Sequence, residues 1–388
     1  MKKVAKKKSN SHSFGERSLA VHKKLRGKIG IESKASVRSK ADLSIYYTPG
    51  VGAVSTYLAK NPKKIKEYTM KGNTVAVISD GSAVLGLGNI GPEGALPVME
   101  GKAMLFKALS GIDAFPIVLA TQDTESIIET IKNIAPVFGG INLEDIAAPR
   151  CFEIERRLQE ELDIPVLHDD QHGTAMVVLA GLINALRVAE KNPKKSTVVV
   201  SGAGAAGNAI TNLLLKFGIG NLIMVDSRGI VHKSRTDMNP FKDHIALLTN
   251  KEDRVGSLED ALIGADVLIG VSKGNTVTAK HIQKMNRDPI IFALSNPVPE
   301  IMPEVARKAG ALVVATGRSD YPNQINNSLG FPGIFRGALD NGVQQITEDM
   351  LLRASKNLAA LVKKPTRDYI IPNTFEKGVV KAVAKAIR

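Results

Sequence analysis

Two acidic pairs are placed where they could act together. Glu144-Asp145 ends the apolar run at 137–143, and Asp169-Asp170 follows the apolar run at 164–167. Between them, residues 149–162 carry Ile154, Leu158 and Leu162 at helical steps. A strand–helix–strand unit of this kind runs its two strands parallel and brings their ends to one edge of a sheet. Both pairs then face a single crevice. Carboxylates crowded there repel one another unless a hard divalent cation sits among them. Asp145 and Asp170 are equally ordinary as helix N-caps, so the pairs alone leave a metal site and two caps as open readings.

A second chemical signal is glycine spacing. Gly202, Gly204 and Gly207, interleaved with Ala203, Ala205 and Ala206, follow TVVVS and open a helical pattern. The next apolar run, LIMVD, ends in Asp226, at the distance where a carboxylate meets a ribose. Such glycines let the backbone approach a pyrophosphate, with a helix N-terminus facing its charge. This is the context of a dinucleotide site. Asp226 favours the free diol of NAD; Arg228 could accept a 2′-phosphate and Ser227 would tolerate one. The balance leans to NAD with NADP open. Gly86, Gly88 and Gly91 repeat the glycine spacing, but Pro92 follows and no carboxylate ends a strand at the ribose distance. Tight packing of a turn under another backbone accounts for them. His168 and His172 are spaced like a zinc pair, but Gly173 and the aspartates between suit a loop and helix start, so zinc is not expected. Cys151 is the single cysteine; it reads as a small buried residue. With no disulfide possible, the setting expected is a reducing, cytoplasmic one.

The elements that must position these residues alternate along the chain. Strands are expected over 74–79, 114–120 and 137–143, and helices over 51–60, 96–109, 123–135 and 149–162. After a long apolar helix at 174–191 and the polar break NPKKS, a second series opens at 197–201. It continues with helices over 207–217, 258–263 and 303–309 and strands over 222–225, 267–270, 290–294 and 312–315. Alternation of this kind predicts parallel sheets covered on both faces. The expected fold class is α/β with two domains, an N-terminal α/β domain with a parallel sheet and a C-terminal doubly wound Rossmann-type domain. The boundaries expected are a disordered basic tail at 1–15, the first domain at 16–164, and the second at 165–388, ending in helices.

Composition narrows the class further. The chain is 388 residues long and 44% hydrophobic, enough for two sizeable cores. No apolar run reaches membrane-spanning length, so no membrane partner is expected. The lysine-rich start lacks the apolar segment of a secretory signal. The formal charge is +14, and five of the first eight residues are lysines. That tail reads as a solvated arm. Basic patches interleaved with aromatics are missing, so no nucleic-acid partner is expected. The remaining positive charge suits small anionic substrates and nucleotides.

Taken together, the motifs resemble malic enzymes, in particular the short bacterial form. The carriers are YYTPGVG at 46–52, SDGSAVLGLGNIGPEGALPVMEGKAMLFK at 79–107, INLEDIAAPRCFEIE at 141–155, HDDQHGTA at 168–175, SGAGAAG at 201–207, ALSNP at 293–297 and INNSLGFPGIFRGAL at 325–339. The resemblance implies oxidative decarboxylation of L-malate to pyruvate and CO2, with reduction of NAD or NADP and a need for Mg2+ or Mn2+. It makes Tyr47 the general acid and Lys102 the general base. It makes Glu144, Asp145 and Asp170 the metal ligands and Asp169 the support of the lysine. Asn296 and Asn327 would hold the substrate or nicotinamide side. It implies a homodimer and leaves open a site shared between subunits, with the tyrosine and lysine reaching the neighbour's metal. One position departs from the pattern. Where longer members carry an arginine that grips a malate carboxylate, this chain has Ala83, so another donor must take that role. Two alternatives stand beside this reading. One is a malolactic-type enzyme that retains its NAD and releases lactate. The other is a dinucleotide-binding regulator without turnover, which has little use for three convergent carboxylates.

Overall fold

The computed structural model describes residues 14–84 and 86–388. Val75, Ala76, Val77 and Ile78 make an uninterrupted apolar run, the pattern of a strand covered on both faces. They lie in β1 (Thr74–Ser79), in which every residue is buried. β2 (Asp113–Val118), β3 (Gly140–Leu143) and β4 (Val166–His168) complete a four-stranded parallel sheet in the order β2-β1-β3-β4.

The second sheet holds β5 (Thr197–Ser201), β6 (Asn221–Asp226), β7 (Gly229–Ile230), β8 (Val267–Gly270), β9 (Ile290–Ala293) and β10 (Val313–Thr316). Its order is β10-β9-β8-β5-β6-β7, parallel except for the short antiparallel β7. The strand order reverses between β5 and β8. Crevices at such switch points, outside the carboxyl ends of strands, are where doubly wound sheets bind ligands. The α/β architecture expected from the alternating pattern is the one observed.

The Asp169–Val188 helix joins the two sheets. It is apolar nearly all round, which marks a buried helix. One apolar cluster runs from Val75 and Val77 of β1 through Met176, Leu179 and Leu182 of this helix to Val198 and Val200 of β5. Phe331 and Phe335, on the Phe331–Asp340 helix, close it against Phe106. The helix starts at Asp169 rather than at 174, because two carboxylates in its first turn complement the N-terminal end of the helix dipole. The Gly91–Ser110 helix likewise starts ahead of 96, with Pro92 in its first turn. Three elements in the 229–289 stretch were not expected: β7, the Pro240–Leu248 helix and the Ala279–Gln283 helix.

The expected basic tail lies outside the described residues except for Phe14 and Gly15, which begin a helix, Phe14–Leu25. This helix and the next two, Lys40–Tyr46 and Val51–Lys60, contribute no buried residue. Leu19, Ile31 and Ile45 are 75%, 90% and 65% exposed, far more than isolated surface apolar residues would need to be. No described helix is long and apolar enough to cross a membrane.

Candidate functional site

β3 and β4 are neighbours, with Leu143 opposite His168. Their carboxyl ends therefore deliver Glu144-Asp145 and Asp169-Asp170 to one edge, as the strand–helix–strand pattern requires. Carboxylate oxygens of Glu144, Asp145 and Asp170 come within 4.8 Å of one another. Oδ2 of Asp170 accepts the Asp145 backbone N–H at 2.8 Å. The helix-cap reading does not hold. Pro149 occupies the N-cap of the Arg150–Glu161 helix, and His168 that of Asp169–Val188. Asp145 instead sits in a loop at φ 55°.

Lys102 enters this group from the Gly91–Ser110 helix. Its ammonium donates to Oδ2 of Asp169 at 2.5 Å and to Oε1 of Glu144, and lies 4.6 Å from the centre of the Phe331 ring. Glu144 also accepts from the Asn142 amide at 3.0 Å. Burial disfavours the Lys102 charge, but Asp169, Glu144 and Asp170 outweigh it and hold its pKa above the usual lysine value. Burial and crowding act the other way on the carboxyls. Burial, reinforced by Asp170, pushes Glu144 up to about 7. Burial, reinforced by Glu144, pushes Asp169 up to about 7. Asp170 is raised mainly by burial. One ammonium thus faces the carboxyl groups of Glu144, Asp169 and Asp170. The donors are all hard oxygens, so the deficit of positive charge fits a cation such as Mg2+ or Mn2+.

Gly173 has a specific task here. A Cβ at this position would stand 1.7 Å from Oδ1 of Asp169, a buried oxygen with no hydrogen-bond partner. Glycine is what lets the Asp169 carboxylate tuck under the first turn of its helix. Glu155, which sequence reasoning did not single out, braces the same turn. It is buried and accepts from the His168 N–H at 2.7 Å and from the Gln171 amide at 2.9 Å. The oxygen that takes the Gln171 amide also lies 3.0 Å from Nε2 of His172. His172 serves this brace through its ring and His168 through its backbone N–H, and the one cluster of potential ligands among the described residues is Glu144, Asp145 and Asp170. Cys151 is fully buried, and burial, with Glu155 and Asp170 nearby, pushes its thiol up to about 12.

A cavity of about 330 Å³ opens over the carboxylates. Asn296 and Asn327 line it together with Lys102, Glu144, Asp145 and Asp170, as does Ala83. Thr174, Ser272 and Ser295 line it too and were not foreseen. Lys102 is the one cation among its described lining residues. Asn326 also reaches it but serves a turn, accepting the Ser328 N–H at 2.9 Å. Tyr47 is not brought to this group: it caps the Lys40–Tyr46 helix, is 66% exposed and does not line the cavity. Lys102, by contrast, stands beside its own chain's carboxylates.

The glycines after β5 shape a second cleft of about 830 Å³. Gly202 has φ 125°, and a Cβ there would meet the Val271 carbonyl at 2.6 Å; a Cβ at Gly207 would stand 1.7 Å from the Gly202 carbonyl. Both glycines are required for the turn into the Ala205–Phe217 helix, while Gly204 faces open space. Gly202, Ala203, Gly204, Asp226, Ser227 and Arg228 line this cleft. Ala205 and Ala206 form the first turn of the helix, and Ala206 reaches the carboxylate cavity. Val271 and Ser272 stand in the walls of both spaces, so the two meet at the β5–β8 switch point. Gly86 of the other glycine loop packs against the Asn296 carbonyl, 1.9 Å from where a Cβ would be, in keeping with a structural role.

Comparison with known proteins matches this arrangement along nearly the whole chain. Residues 26–159 match the family model "Malic enzyme, N-terminal domain", and residues 171–387 match "Malic enzyme, NAD binding domain". The chain is 54% identical over 378 residues to the bifunctional malic/malolactic enzyme of Bacillus subtilis, covering 97% of this chain and 92% of that protein. It is 55% identical over 377 residues to the NAD-dependent malic enzyme of Geobacillus stearothermophilus, covering 97% and 78%. The crystal structure of the NAD-dependent malic enzyme of Thermotoga maritima superposes with a TM-score of 0.92 at 52% identity, covering 95% of this chain and 98% of that one. The convergent carboxylates, the dinucleotide cleft beside them and these matches lead to one conclusion: the chain belongs to the malic enzyme family, a family of NAD(P)-dependent oxidoreductases.

Proposed function

We propose that this enzyme oxidises and decarboxylates L-malate, giving pyruvate, CO2 and reduced NAD or NADP. The observation that supports this most is the shared wall at Val271 and Ser272, which sets a dinucleotide cleft against a cavity holding three carboxylates and a buried lysine. A divalent cation held by Glu144, Asp145 and Asp170 would supply Lewis acidity, and the dinucleotide would supply the hydride acceptor. Asn296, Asn327, Ser272 and Ser295 provide neutral donors for the malate carboxylates, in place of the arginine absent at Ala83. Lys102 is the residue positioned to take the proton of the C2 hydroxyl, handing its own to Asp169, with which it is in contact. Tyr47 protonates C3 once CO2 has left.

Tyr47 can do this only from a second copy of the chain. The apolar surface of residues 14–70 supports such pairing, since Leu19, Ile31 and Ile45 are left uncovered within one chain. In this reading the homodimer forms through the N-terminal helices, Lys102 acts within its own subunit and Tyr47 acts across the interface. The name of the Bacillus subtilis relative also favours a second activity, conversion of malate to lactate. The test is a malate assay with each nucleotide, following both reduced nicotinamide and the organic acid formed. Pyruvate with stoichiometric nucleotide reduction supports the oxidative reading. Lactate without net reduction supports the malolactic one. Neither product would remove both.

A further inference from the structure

Asp226 ends β6 at the position where a free carboxylate would accept the ribose hydroxyls of NAD. In this molecule it is not free. Its Oδ1 accepts the Arg228 backbone N–H at 2.9 Å and Nη1 of Arg235 at 2.9 Å. Its Oδ2 accepts Nη2 of Arg235 at 3.0 Å and Nζ of Lys242 at 2.5 Å. A carboxylate offers about four acceptor positions, and these donors occupy them. Despite partial burial, Arg235 and Lys242 hold the group down at about 2, so it stays ionised and paired. Arg235 is 8% exposed and is fully engaged, since it also bonds both oxygens of Asp237. Arg228 and Lys242 are different. Both line the dinucleotide cleft, and each holds a carboxylate through one side-chain donor, with others to spare. The Arg228 side chain is 69% exposed. Three cations meet two carboxylates here, and Lys273 adds another cation to the same cleft.

We propose that this corner of the cleft reads a 2′-phosphate, with Arg228 and Lys242 as its ligands and Arg235 as the positioning residue that neutralises Asp226. This rests on the dinucleotide reading of the cleft and sharpens it. A ribose diol must displace Lys242 to reach Asp226. A phosphate needs no such displacement, because it takes up the spare donors of a fork and an ammonium.

The fragments 5′-AMP and 2′,5′-ADP differ only in the phosphate, so calorimetric titration of each into the full-length protein isolates the effect. A charge-assisted hydrogen bond contributes enough that 2′,5′-ADP is expected to bind at least about tenfold more tightly than AMP. The preference should shrink as salt is raised. Lys242→Ala and Arg228→Ala, at a partly buried and an exposed side chain, should each reduce that ratio at least about threefold, and a ratio unchanged in both variants would overturn the assignment of these two ligands. AMP binding as tightly as 2′,5′-ADP in the wild type would overturn the proposal and leave the dinucleotide cleft standing. Binding of neither fragment would overturn both.

Discussion

Two carboxylate clusters sit at the ends of parallel strands in this molecule, and their charge balances are opposite. After β3 and β4, the carboxyl groups of Glu144, Asp169 and Asp170 share one ammonium, that of Lys102, and burial raises Glu144 and Asp169 to about 7. After β6, Asp226 and Asp237 meet Arg228, Arg235 and Lys242, and Asp226 is held at about 2. The same strand-end logic builds both. The first cluster lacks positive charge in a dry setting and calls for a cation. The second has cationic donors to spare beside open solvent and calls for an anion. Sequence shows acidic residues in both places; only the partners reveal which sign is missing.

The largest expected effect tests the lone ammonium of the first cluster. Lys102→Ala should lower kcat for malate oxidation by roughly 10²–10⁴-fold, the range for a lost acid–base group, while Mn2+ binding persists. An unchanged kcat would remove Lys102 from the chemistry. Next comes the proposed division of labour between two subunits. Tyr47→Phe and Lys102→Ala homodimers should each be nearly inactive, whereas subunits mixed by unfolding and refolding should recover up to about a quarter of wild-type activity, since half the dimers are mixed and each has one intact site. No recovery in verified mixed dimers would place Tyr47 and Lys102 in the same subunit's site.

A smaller effect separates the clusters by the sign of their ligands. Mg2+ or Mn2+ at about 100 times its Kd should stabilise the protein by about 2.7 kcal/mol, seen as a rise in Tm. Asp145→Asn should abolish that rise and Asp226→Asn should leave it intact. A rise lost in Asp226→Asn and kept in Asp145→Asn would reverse the comparison. The smallest expected effect concerns Cys151, packed under the first cluster. Burial raises its thiol to about 12, so it stays protonated, and a thiol reagent at neutral pH should label it only in unfolded protein. Rapid labelling of the native chain would show that this side of the cluster opens to water.

Much of the fold was legible because apolar runs such as TVAVIS and TVVVS are strands whatever surrounds them. The meeting of Glu144, Asp145 and Asp170 followed from the strand–helix–strand pattern. The choice between ligand and cap did not, because it turns on a helix boundary that a single residue can shift: His168, not an aspartate, caps the Asp169–Val188 helix. Roles set by distant partners were also hidden. Glu155 acts on His168 and Gln171 from the preceding helix, and Arg235 and Lys242 reach Asp226 from 9 and 16 residues away. β7, with two residues, and the five-residue Ala279–Gln283 helix were missed because segments that short carry no readable period. Tyr47 could be suspected of chemistry only through family resemblance, and within one chain it is exposed and does not line the cavity.

The central claim is that Glu144, Asp145 and Asp170 hold a divalent cation on which turnover depends. Malate oxidation measured after exhaustive chelation, then after Mg2+ or Mn2+ is restored, tests it most directly. The account predicts no turnover in the stripped enzyme and full recovery on adding the ion back. An undiminished rate in the stripped enzyme would contradict it.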